Sequence, residues 1–336
     1  MLQKYNYDHP FTTESGDTLP SLTIGYHTFG RLNADRSNVI WVCHALTANS
    51  DVADWWPNTV EAGKFLDPER YFIVCANVLG SCYGTTGPLS VNPATDEPWY
   101  ETFPKVTIRD IVSVHRLLAD HLGISRVKLL IGSSLGGFQT MEWAIMDPGF
   151  AENIALIATS SYSRPWASAF NEAQRMAIDA DRSYGEHRPD AGAAGLATAR
   201  AIAMLSYRGG IAYDATQQDA DPENTFFRRV HSYQRHQGNK LADRFNAFSY
   251  YRISQAVDSH NVGRGRGGRE KALASIKANT LIVAITSDIL FPPADHQDMV
   301  DAIPSVEFRV IDSSFGHDGF LIEHEALDRI ISRFLR

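Results

Sequence analysis

The sequence predicts an α/β protein with a mostly parallel sheet, flanked by helices and carrying a helical insertion. Short apolar runs of strand length alternate with amphipathic helical patterns, and the alternation stops between about residues 164 and 275. The chain has 336 residues, of which 44% are hydrophobic and 21% charged, enough for one large core with an inserted subdomain. We therefore expect a core of residues 1–163 and 276–336 and an insertion of residues 164–275, named here the lid segment.

Six apolar runs predict the strands of the sheet. Each run is nearly continuous and is bounded by turn residues, which is typical of parallel strands covered on both faces. The runs span residues 38–43, 71–77, 127–132, 153–159, 280–286 and 306–312. Helical patterns span residues 108–123, 138–146, 294–303 and 321–335. The lid segment contains helical patterns without a strand-like run, and a lid over the carboxyl ends of the strands would cover a site there.

Composition and charge exclude several classes of partner. The net charge is −8 and the sequence pI is about 5.8, which argues against broad binding to nucleic acid or to an anionic membrane surface. No run of eighteen apolar residues is present, and the first residues lack the apolar centre of a signal peptide, so we expect a cytoplasmic protein. Cys43, Cys75 and Cys82 predict buried, reduced thiols, and no Cys/His spacing indicates a metal site.

A serine follows the third predicted strand in the stretch KLLIGSSLGGFQT, residues 128–140. Ser134 is the centre of a G-x-S-x-G pattern, whereas Ser133 is not, because residue 131 is Ile. Between a strand and a helix this pattern favours a nucleophile on a strained turn, where small neighbours let the chain pass closely. The backbone N–H of Leu135 would then donate to an oxyanion. The alternative is a purely structural turn.

A serine nucleophile needs a histidine base and a carboxylate that orients it. His317 lies in a loop after the last predicted strand, and Asp288 lies in a loop after the strand before it. His296 and His324 fall within helical patterns instead. Ser134, Asp288 and His317 therefore come in the chain order that this kind of fold uses, each close to the end of a strand.

The second oxyanion donor is expected in the loop after the first predicted strand. Its candidates are the backbone N–H groups of Leu46 and Ala45, and we interpret the adjacent His44 as a structural histidine. A further pattern, GRGRGG at residues 263–268, contains G-x-G-x-x-G and resembles an RGG element. No strand precedes it and one copy in an acidic chain is weak evidence, so we interpret it as a loop where the lid segment rejoins the core.

Several longer segments resemble the homoserine O-acetyltransferase family. These segments are CHALTANSDVADWW, YFIVCANVLGSCYGTTGP, TIRDIV, GSSLGGFQTMEWA, DSHNVGRGRGG, TSDILFPP and GHDGFL. The resemblance covers about residues 10 to 335 and implies the α/β-hydrolase fold. It also implies a ping-pong acyltransferase of methionine biosynthesis, with acetyl-CoA as co-substrate, L-homoserine as acceptor and no tightly bound cofactor.

The resemblance also assigns roles to individual residues, including Arg200, which spacing does not single out. It implies that Ser134 carries the acetyl group, with Leu46 and Leu135 as oxyanion donors. It implies that Arg200 binds the carboxylate of the amino acid and Asp318 its ammonium, with Tyr207 in the pocket. Members of the family are usually homodimers with the helical lid at the interface.

Two departures from the family leave the acyl donor open. Leu135 stands where many relatives have Met, and Ala48-Asn49 stands where many have Gly-Ser. The first is a volume-conserving change beside a backbone donor, whereas the second lies near the acyl pocket that the resemblance implies. A homoserine O-succinyltransferase and a serine O-acyltransferase of the same family remain alternatives, as one methylene gives modest discrimination. An esterase or thioesterase would share the triad, and a non-catalytic binding protein would not need it.

Overall fold

The computed structural model describes residues 1–226 and 228–336. The described residues form twelve strands, four of which are only two residues long. The strands are β1 (Gln3–Tyr7), β2 (Phe11–Thr12), β3 (Thr18–Leu19), β4 (Leu22–Phe29), β5 (Val39–Cys43), β6 (Phe72–Ala76), β7 (Val91–Asn92), β8 (Glu97–Pro98), β9 (Val127–Ser133), β10 (Ala151–Ile157), β11 (Asn279–Ile285) and β12 (Val306–Ile311).

Helices separate the later strands and fill the lid segment. The α-helices are α1 (Val52–Trp55), α2 (Ile108–His121), α3 (Leu135–Met146), α4 (Pro165–Asp179), α5 (Ala193–Tyr207), α6 (Gly210–Thr216), α7 (Arg229–Ala242), α8 (Ala247–Asp258), α9 (Arg269–Leu273), α10 (Gln297–Ala302), α11 (Gly319–Ile322) and α12 (His324–Phe334). Short 3₁₀ helices span Tyr100–Thr102, Pro293–His296 and Gly316–Asp318.

One eight-stranded sheet organises the described part of the chain, in the order β1-β4-β6-β5-β9-β10-β11-β12. Neighbours from β6 to β12 are parallel, and only the β1–β4 and β4–β6 pairs at one edge are antiparallel. All six predicted strands are present within a residue or two of their predicted ends, so the mostly parallel sheet flanked by helices is confirmed.

The central strands of the sheet are buried on both faces, which explains their continuous apolar runs. In β5, Trp41 and Cys43 face one apolar cluster, and Ile40 and Val42 face a second cluster across the sheet. All four side chains have no exposed surface. Alternate residues of a strand point to opposite faces, so a strand that is covered on both sides must be apolar throughout.

The lid segment is helical in its described residues. It contains α4 to α9 and no strand, and α4 and α5 pack against each other. No helix among the described residues has the length and apolar character needed to cross a membrane. The division of the chain into a core and a lid segment stays a prediction.

Three predicted helices and one predicted thiol differ in detail. The helix predicted at 138–146 begins at Leu135, and the one predicted at 294–303 opens as a 3₁₀ turn before α10. The helix predicted at 321–335 is two helices that break at Glu323, whose φ of −83° and ψ of 42° do not continue a helix. Cys82, expected to be buried, is partly exposed, whereas the other two cysteines are buried; none of the three forms a disulfide.

Candidate active site

Ser134 lies on a sharp turn between β9 and α3. Its backbone has φ 55° and ψ −122°, a region that residues other than glycine rarely adopt. The end of β10 holds it there: its N–H donates to the carbonyl of Ile157 (2.9 Å), and its carbonyl accepts from the Thr159 hydroxyl (3.1 Å). The surrounding hydrogen bonds thus maintain a strained conformation at the residue predicted to be the nucleophile.

The glycines around Ser134 are required by close backbone contacts. A Cβ on Gly132 would lie 2.1 Å from the carbonyl oxygen of Gly136, and a Cβ on Gly136 would lie 2.0 Å from that of Cys43. A Cβ on Gly137 would meet Thr159 at 2.6 Å. These distances are far below van der Waals contact, so a side chain at any of these positions would force the turn or the start of α3 to shift.

Burial distinguishes the two adjacent serines. Ser133 is 1% exposed, and its hydroxyl is buried without a hydrogen-bond partner among the described residues. Ser134 instead lines a cavity of about 340 Å³. Only Ser134 is therefore accessible to a substrate.

Asp288 and His317 form a buried hydrogen-bonded pair. The distance between Asp288 Oδ2 and His317 Nδ1 is 2.7 Å, and neither side chain is more than 4% exposed. Asp288 Oδ1 accepts from the backbone N–H groups of Leu290 (2.8 Å) and Phe291 (3.0 Å). With Nδ1–H directed at the carboxylate, the ring leaves Nε2 as its free proton acceptor.

The loops that carry this pair are tied together. The Ser287 hydroxyl donates to the carbonyl of Ser313 (2.5 Å) and accepts from the N–H of Gly316 (2.9 Å). Since Ser287 precedes Asp288 and Gly316 precedes His317, this one side chain fixes the spacing of the two loops. Both loops lie at the carboxyl ends of adjacent parallel strands, β11 and β12.

Opposing influences set the pKa of His317. Burial lowers the pKa, but the charge and hydrogen bond of Asp288, with a smaller contribution from Asp318, outweigh it and raise the pKa above its usual value of 6.5. The rings of Phe291 and Phe320 lie 5.4 and 5.5 Å from the imidazole between centroids. The ring is therefore held in a dry setting beside a fixed negative charge, which suits a base that must carry a proton transiently.

The cavity of about 340 Å³ beside Ser134, named here the large cavity, brings together most of the residues that the sequence singled out. Ser134, His317, Arg200, Tyr207 and Asp318 all line it. Arg200 and Tyr207 are seven residues apart on one face of α5, and the guanidinium carbon lies 5.3 Å from the centre of the tyrosine ring. The helix thus places a cation on the wall of the cavity that also carries the serine and the histidine.

Leu46 and Leu135 both lie close to Ser134. The backbone N–H groups of both residues have no protein acceptor in the part of the chain that the structure describes. Gln139 joins their two segments, because its Nε2 donates to the carbonyls of His44 (3.1 Å) and Leu135 (3.2 Å). Both leucines also line a small second cavity that includes Ser134. Their N–H groups are available for an oxyanion in this geometry.

His44 is buried and hydrogen-bonded on both sides of its ring. Nδ1 is 2.8 Å from the carbonyl of Ala45, and Nε2 accepts from the N–H of Val78 at 3.1 Å. Burial lowers the pKa of His44 to about 4, so the ring is neutral. These contacts fix the turn that leads to Leu46 and agree with the structural interpretation of His44.

Asp318 has a partner that the sequence did not reveal. Its Oδ2 lies 3.3 Å from Nε of Arg208, the residue that follows α5. Burial raises the pKa of Asp318, and Arg200, His317 and Arg208 offset only part of that rise. A buried carboxylate that is incompletely compensated favours the approach of a further cation.

Sequence reasoning also missed two cations of the large cavity. Lys240 and Arg244 line it from the end of α7, and both side chains are exposed. Arg244 is held by the carbonyl of Thr47 (2.7 Å) and the hydroxyl of Tyr83 (2.5 Å). No motif surrounds these residues, and only the fold brings α7 to the loop after β5.

The GRGRGG loop is bound to the core by ion pairs. Arg264 pairs with Glu14 (2.8 Å) and Arg266 with Glu142 (2.7 Å), a carboxylate that is only 2% exposed and also meets Arg109. No strand precedes the loop, which begins after α8. Its arginines are thus engaged within the protein, as expected of a connecting loop. Among the described residues, no cluster of three or more His, Cys, Asp or Glu could hold a metal ion.

The fold and the serine turn define the class of the protein. The family model of the α/β hydrolase fold matches residues 38–323. The crystal structure of esterase E22 has a TM-score of 0.89 with this chain at 26% identity, with 100% of both chains covered. The protein is therefore an α/β-hydrolase-fold enzyme.

More specific similarity comes from two homoserine O-acetyltransferases. The one from Cyclobacterium marinum is 46% identical over 335 residues, which cover 99% of this chain and 95% of that protein. The crystal structure of the one from Bacillus anthracis has a TM-score of 0.91 at 25% identity, covering 100% of this chain and 98% of that chain. The chain belongs to the homoserine O-acetyltransferase family.

Proposed function

We propose that this enzyme moves an acetyl group from acetyl-CoA to the hydroxyl of L-homoserine, through an acetyl ester on Ser134, as a step of methionine biosynthesis. One arrangement carries this proposal: Ser134 and the Asp288-paired His317 line the same cavity as Arg200 and Asp318. A nucleophile and its base thus share a cavity with one cation and one anion, which are the counterparts of a zwitterionic amino acid.

In the first half-reaction Ser134 attacks the thioester carbonyl of the donor. His317 Nε2 accepts the hydroxyl proton, and Asp288 stabilises the resulting imidazolium. The N–H groups of Leu46 and Leu135 donate to the oxyanion of the tetrahedral intermediate. The carbon–sulfur bond then breaks, the departing thiolate of CoA takes the proton from His317 and leaves as the thiol, and Ser134 is left as its acetyl ester.

In the second half-reaction the hydroxyl of homoserine attacks that ester. His317 accepts the proton of the acceptor hydroxyl and returns it to Ser134 Oγ as the ester bond to the serine breaks. O-acetylhomoserine leaves and the free serine is regenerated. Both half-reactions use the same base and the same oxyanion donors, so the donor and the acceptor occupy the cavity in turn.

Charged groups of the cavity support an amino acid as the acceptor. Arg200 would pair with the carboxylate, while Asp318, the largely buried carboxylate beside His317, would accept from the ammonium. Tyr207 contacts both His317 and Arg200. Its ring lies 5.8 Å from the ring of His317, between centroids, and packs against the guanidinium of Arg200. These contacts would place the acceptor hydroxyl near His317 Nε2.

Lys240 and Arg244 support an anionic donor. Both are exposed and line the cavity, so they lie where it opens to solvent. CoA carries its phosphates at the end remote from the thioester, and a pair of cations at the opening would attract them. We propose these two residues as contacts of CoA.

A hydrolase is the second candidate function, and the similarity to esterase E22 favours it specifically. Water would replace homoserine in the second half-reaction, with every triad residue unchanged. The Arg200 and Asp318 charges favour the transferase, because a hydrolase of simple esters has no use for a zwitterion site.

A panel of donors against acceptors tests the proposal. Purified protein is mixed with acetyl-CoA or succinyl-CoA and with L-homoserine, L-serine or no acceptor, and both CoA release and the acylated product are measured. We expect sustained CoA release and O-acetylhomoserine only with acetyl-CoA and homoserine, and at most one equivalent of CoA per enzyme from acetyl-CoA alone. Equal CoA release without an acceptor would establish a hydrolase, and transfer from succinyl-CoA alone would establish a succinyltransferase.

We further propose that the enzyme acts in the cytoplasm as a homodimer. Large apolar side chains are exposed on the lid segment, on α4, α5 and α6: Trp166, Leu205 and Ile211. Burial of such side chains against a second copy would remove them from water. Light scattering of the purified protein is expected to give twice the mass of the chain.

A further inference from the structure

We propose that a small second cavity beside Ser134 holds the methyl group of the acyl chain and restricts the donor to acetyl-sized thioesters. This inference rests on the proposed acyl transfer and names the part of the site that selects the acyl group. The cavity has a volume of about 30 Å³ and is lined by Ser134, Leu46 and Leu135 together with residues of the lid segment and of the loop after Asp288.

The geometry of the tetrahedral intermediate directs the acyl chain toward this cavity. The reacting carbon carries four groups: Ser134 Oγ, the oxyanion, the sulfur or hydroxyl oxygen that enters or leaves, and the acyl chain. The oxyanion lies toward the N–H groups of Leu46 and Leu135. The entering or leaving atom must lie near His317, which lines the large cavity and not the small one. The acyl chain is the remaining group of the intermediate, and the small cavity is the space beside Ser134 that is left for it.

Size then limits which acyl chain fits. A cavity of about 30 Å³ holds roughly two water-sized groups, since one such group needs about 10 to 15 Å³. The acetyl group places one methyl there. A butyryl group would place three carbons there, and a succinyl group would add two methylenes and a carboxylate, which exceeds the volume.

The chemistry of the lining excludes a charged chain independently of size. Most of the lining is apolar and includes Ala167, Phe170, Leu290 and Phe291. No lysine, arginine or histidine lines it in the described part of the chain. The carboxylate of a succinyl group would thus be buried without a cation, which is strongly unfavourable.

The two polar side chains that α4 contributes to the lining already have partners. Asn171 donates to Asp258 (2.7 Å), and Gln174 accepts from the hydroxyl of Tyr250 (2.6 Å). These bonds orient both side chains within the lid segment. The apolar atoms of the cavity lining are then left to determine which acyl group fits.

One face of α4 forms a wall of the cavity. Ala167, Phe170 and Gln174 follow each other at intervals of three and four residues, so they project from the same side of the helix. Phe170 is the largest side chain of this face, and Met176 lies on the exposed side of α4 at 61% exposure. The volume beside Ser134 can therefore be altered from a helix that carries none of the triad.

Two substitutions in α4 test the inference. Phe170→Ala enlarges the cavity, Ala167→Leu fills it, and Met176→Ala is the matched control on the exposed side of the helix. The kcat/KM for acetyl-, propionyl-, butyryl- and succinyl-CoA is measured with L-homoserine, after circular dichroism shows that each variant is folded.

For the unaltered enzyme we expect the kcat/KM for acetyl-CoA to exceed that for butyryl-CoA by about 100-fold or more. One methylene is worth roughly 10- to 200-fold in a close-fitting pocket. Phe170→Ala should reduce that ratio at least tenfold, Ala167→Leu should impair even acetyl transfer, and Met176→Ala should leave the ratio unchanged. Equal use of acetyl and butyryl by the unaltered enzyme, or an unchanged ratio in both cavity variants, would overturn the inference while the proposed function stands. Absence of acetyl transfer by the unaltered enzyme would instead overturn the proposed function.

Discussion

At the scale of single residues, the state of His317 depends on its contact with Asp288. The 2.7 Å hydrogen bond selects the tautomer with Nε2 free, and the carboxylate raises the pKa against the effect of burial. A base must be neutral to accept a proton. The rate should therefore rise with pH through a pKa above 6.5 and level off beyond it.

Asp288→Asn should impair the base in two measurable ways. Loss of the orienting charge is expected to lower kcat by about 10³- to 10⁴-fold, as in other triads. The residual activity should rise at a lower pH than in the unaltered enzyme, because the group that raises the pKa of His317 is gone while burial still lowers it. Profiles of kcat/KM from about pH 5 to 9 measure both effects.

Asp301→Asn, at an exposed position of α10, is the control and should change neither quantity. A profile of Asp288→Asn that keeps its midpoint would mean that Asp288 does not set the protonation of His317.

At the scale of elements, the contact between α3 and the end of β5 positions Ser134. Gly136 lies in the first turn of α3, and its Cα faces the carbonyl of Cys43 so closely that no side chain fits. The close approach brings the loop after β5, with Leu46, beside the serine. Backbone packing thus brings together the proposed nucleophile and the proposed oxyanion donors.

Gly136→Ala is expected to destabilise the protein and to reduce activity. Its Cβ would lie 2.0 Å from the Cys43 carbonyl oxygen, so α3 must shift away from β5. Overpacking of this kind costs about 1 to 3 kcal/mol or more. Gly185→Ala is the matched control, because its Cβ meets nothing within 4 Å, and a change within about 0.5 kcal/mol is expected. Urea unfolding measures both variants, and equal stabilities would contradict the packing account.

Strands with a mainly apolar run could be predicted from the sequence, whereas β1 and β4 could not, and position in the sheet is not the whole reason because β12 is also an edge strand. The apolar runs of β9 and β11 and the more mixed run of β12 located the loops that carry Ser134, Asp288 and His317. β1 and β4 pair antiparallel at the edge, where β1 is largely exposed, so neither has the continuous pattern used for the other strands.

The charged residues of the cavity could not be predicted from sequence patterns either. Arg200 sits on a lid helix where arginines are common, so only the family resemblance singled it out. Arg208, Lys240 and Arg244 carried no signal at all, because their relation to the cavity depends on how α5 and α7 pack against the core. Packing between distant segments cannot be read from local periodicity.

At the scale of the whole molecule, three buried histidines tie stability to pH. Burial lowers the pKa of His44 to about 4, and that of His115 and His260 to about 3. All three are at most 3% exposed. The same rings have a pKa near 6.5 in the unfolded chain, so the unfolded state binds more protons at acidic pH.

The free energy of unfolding should therefore fall as the pH drops below about 6.5, and each histidine contributes up to about 1.4 kcal/mol per pH unit until its folded pKa is reached. Urea unfolding at several pH values measures this slope. His115→Phe should make the slope shallower, whereas His236→Gln at an exposed position of α7 should not. A slope that His115→Phe leaves unchanged would contradict the role of this buried ring.

The whole account depends on a covalent intermediate at one serine. Intact-protein mass spectrometry after mixing with acetyl-CoA alone tests it most directly, with L-homoserine added afterwards. The account predicts that the unaltered protein and Ser133→Ala gain the mass of one acetyl group and lose it when homoserine is added, while Ser134→Ala gains nothing. An acetyl adduct on Ser134→Ala, or an adduct on the unaltered protein that homoserine does not remove, would contradict it.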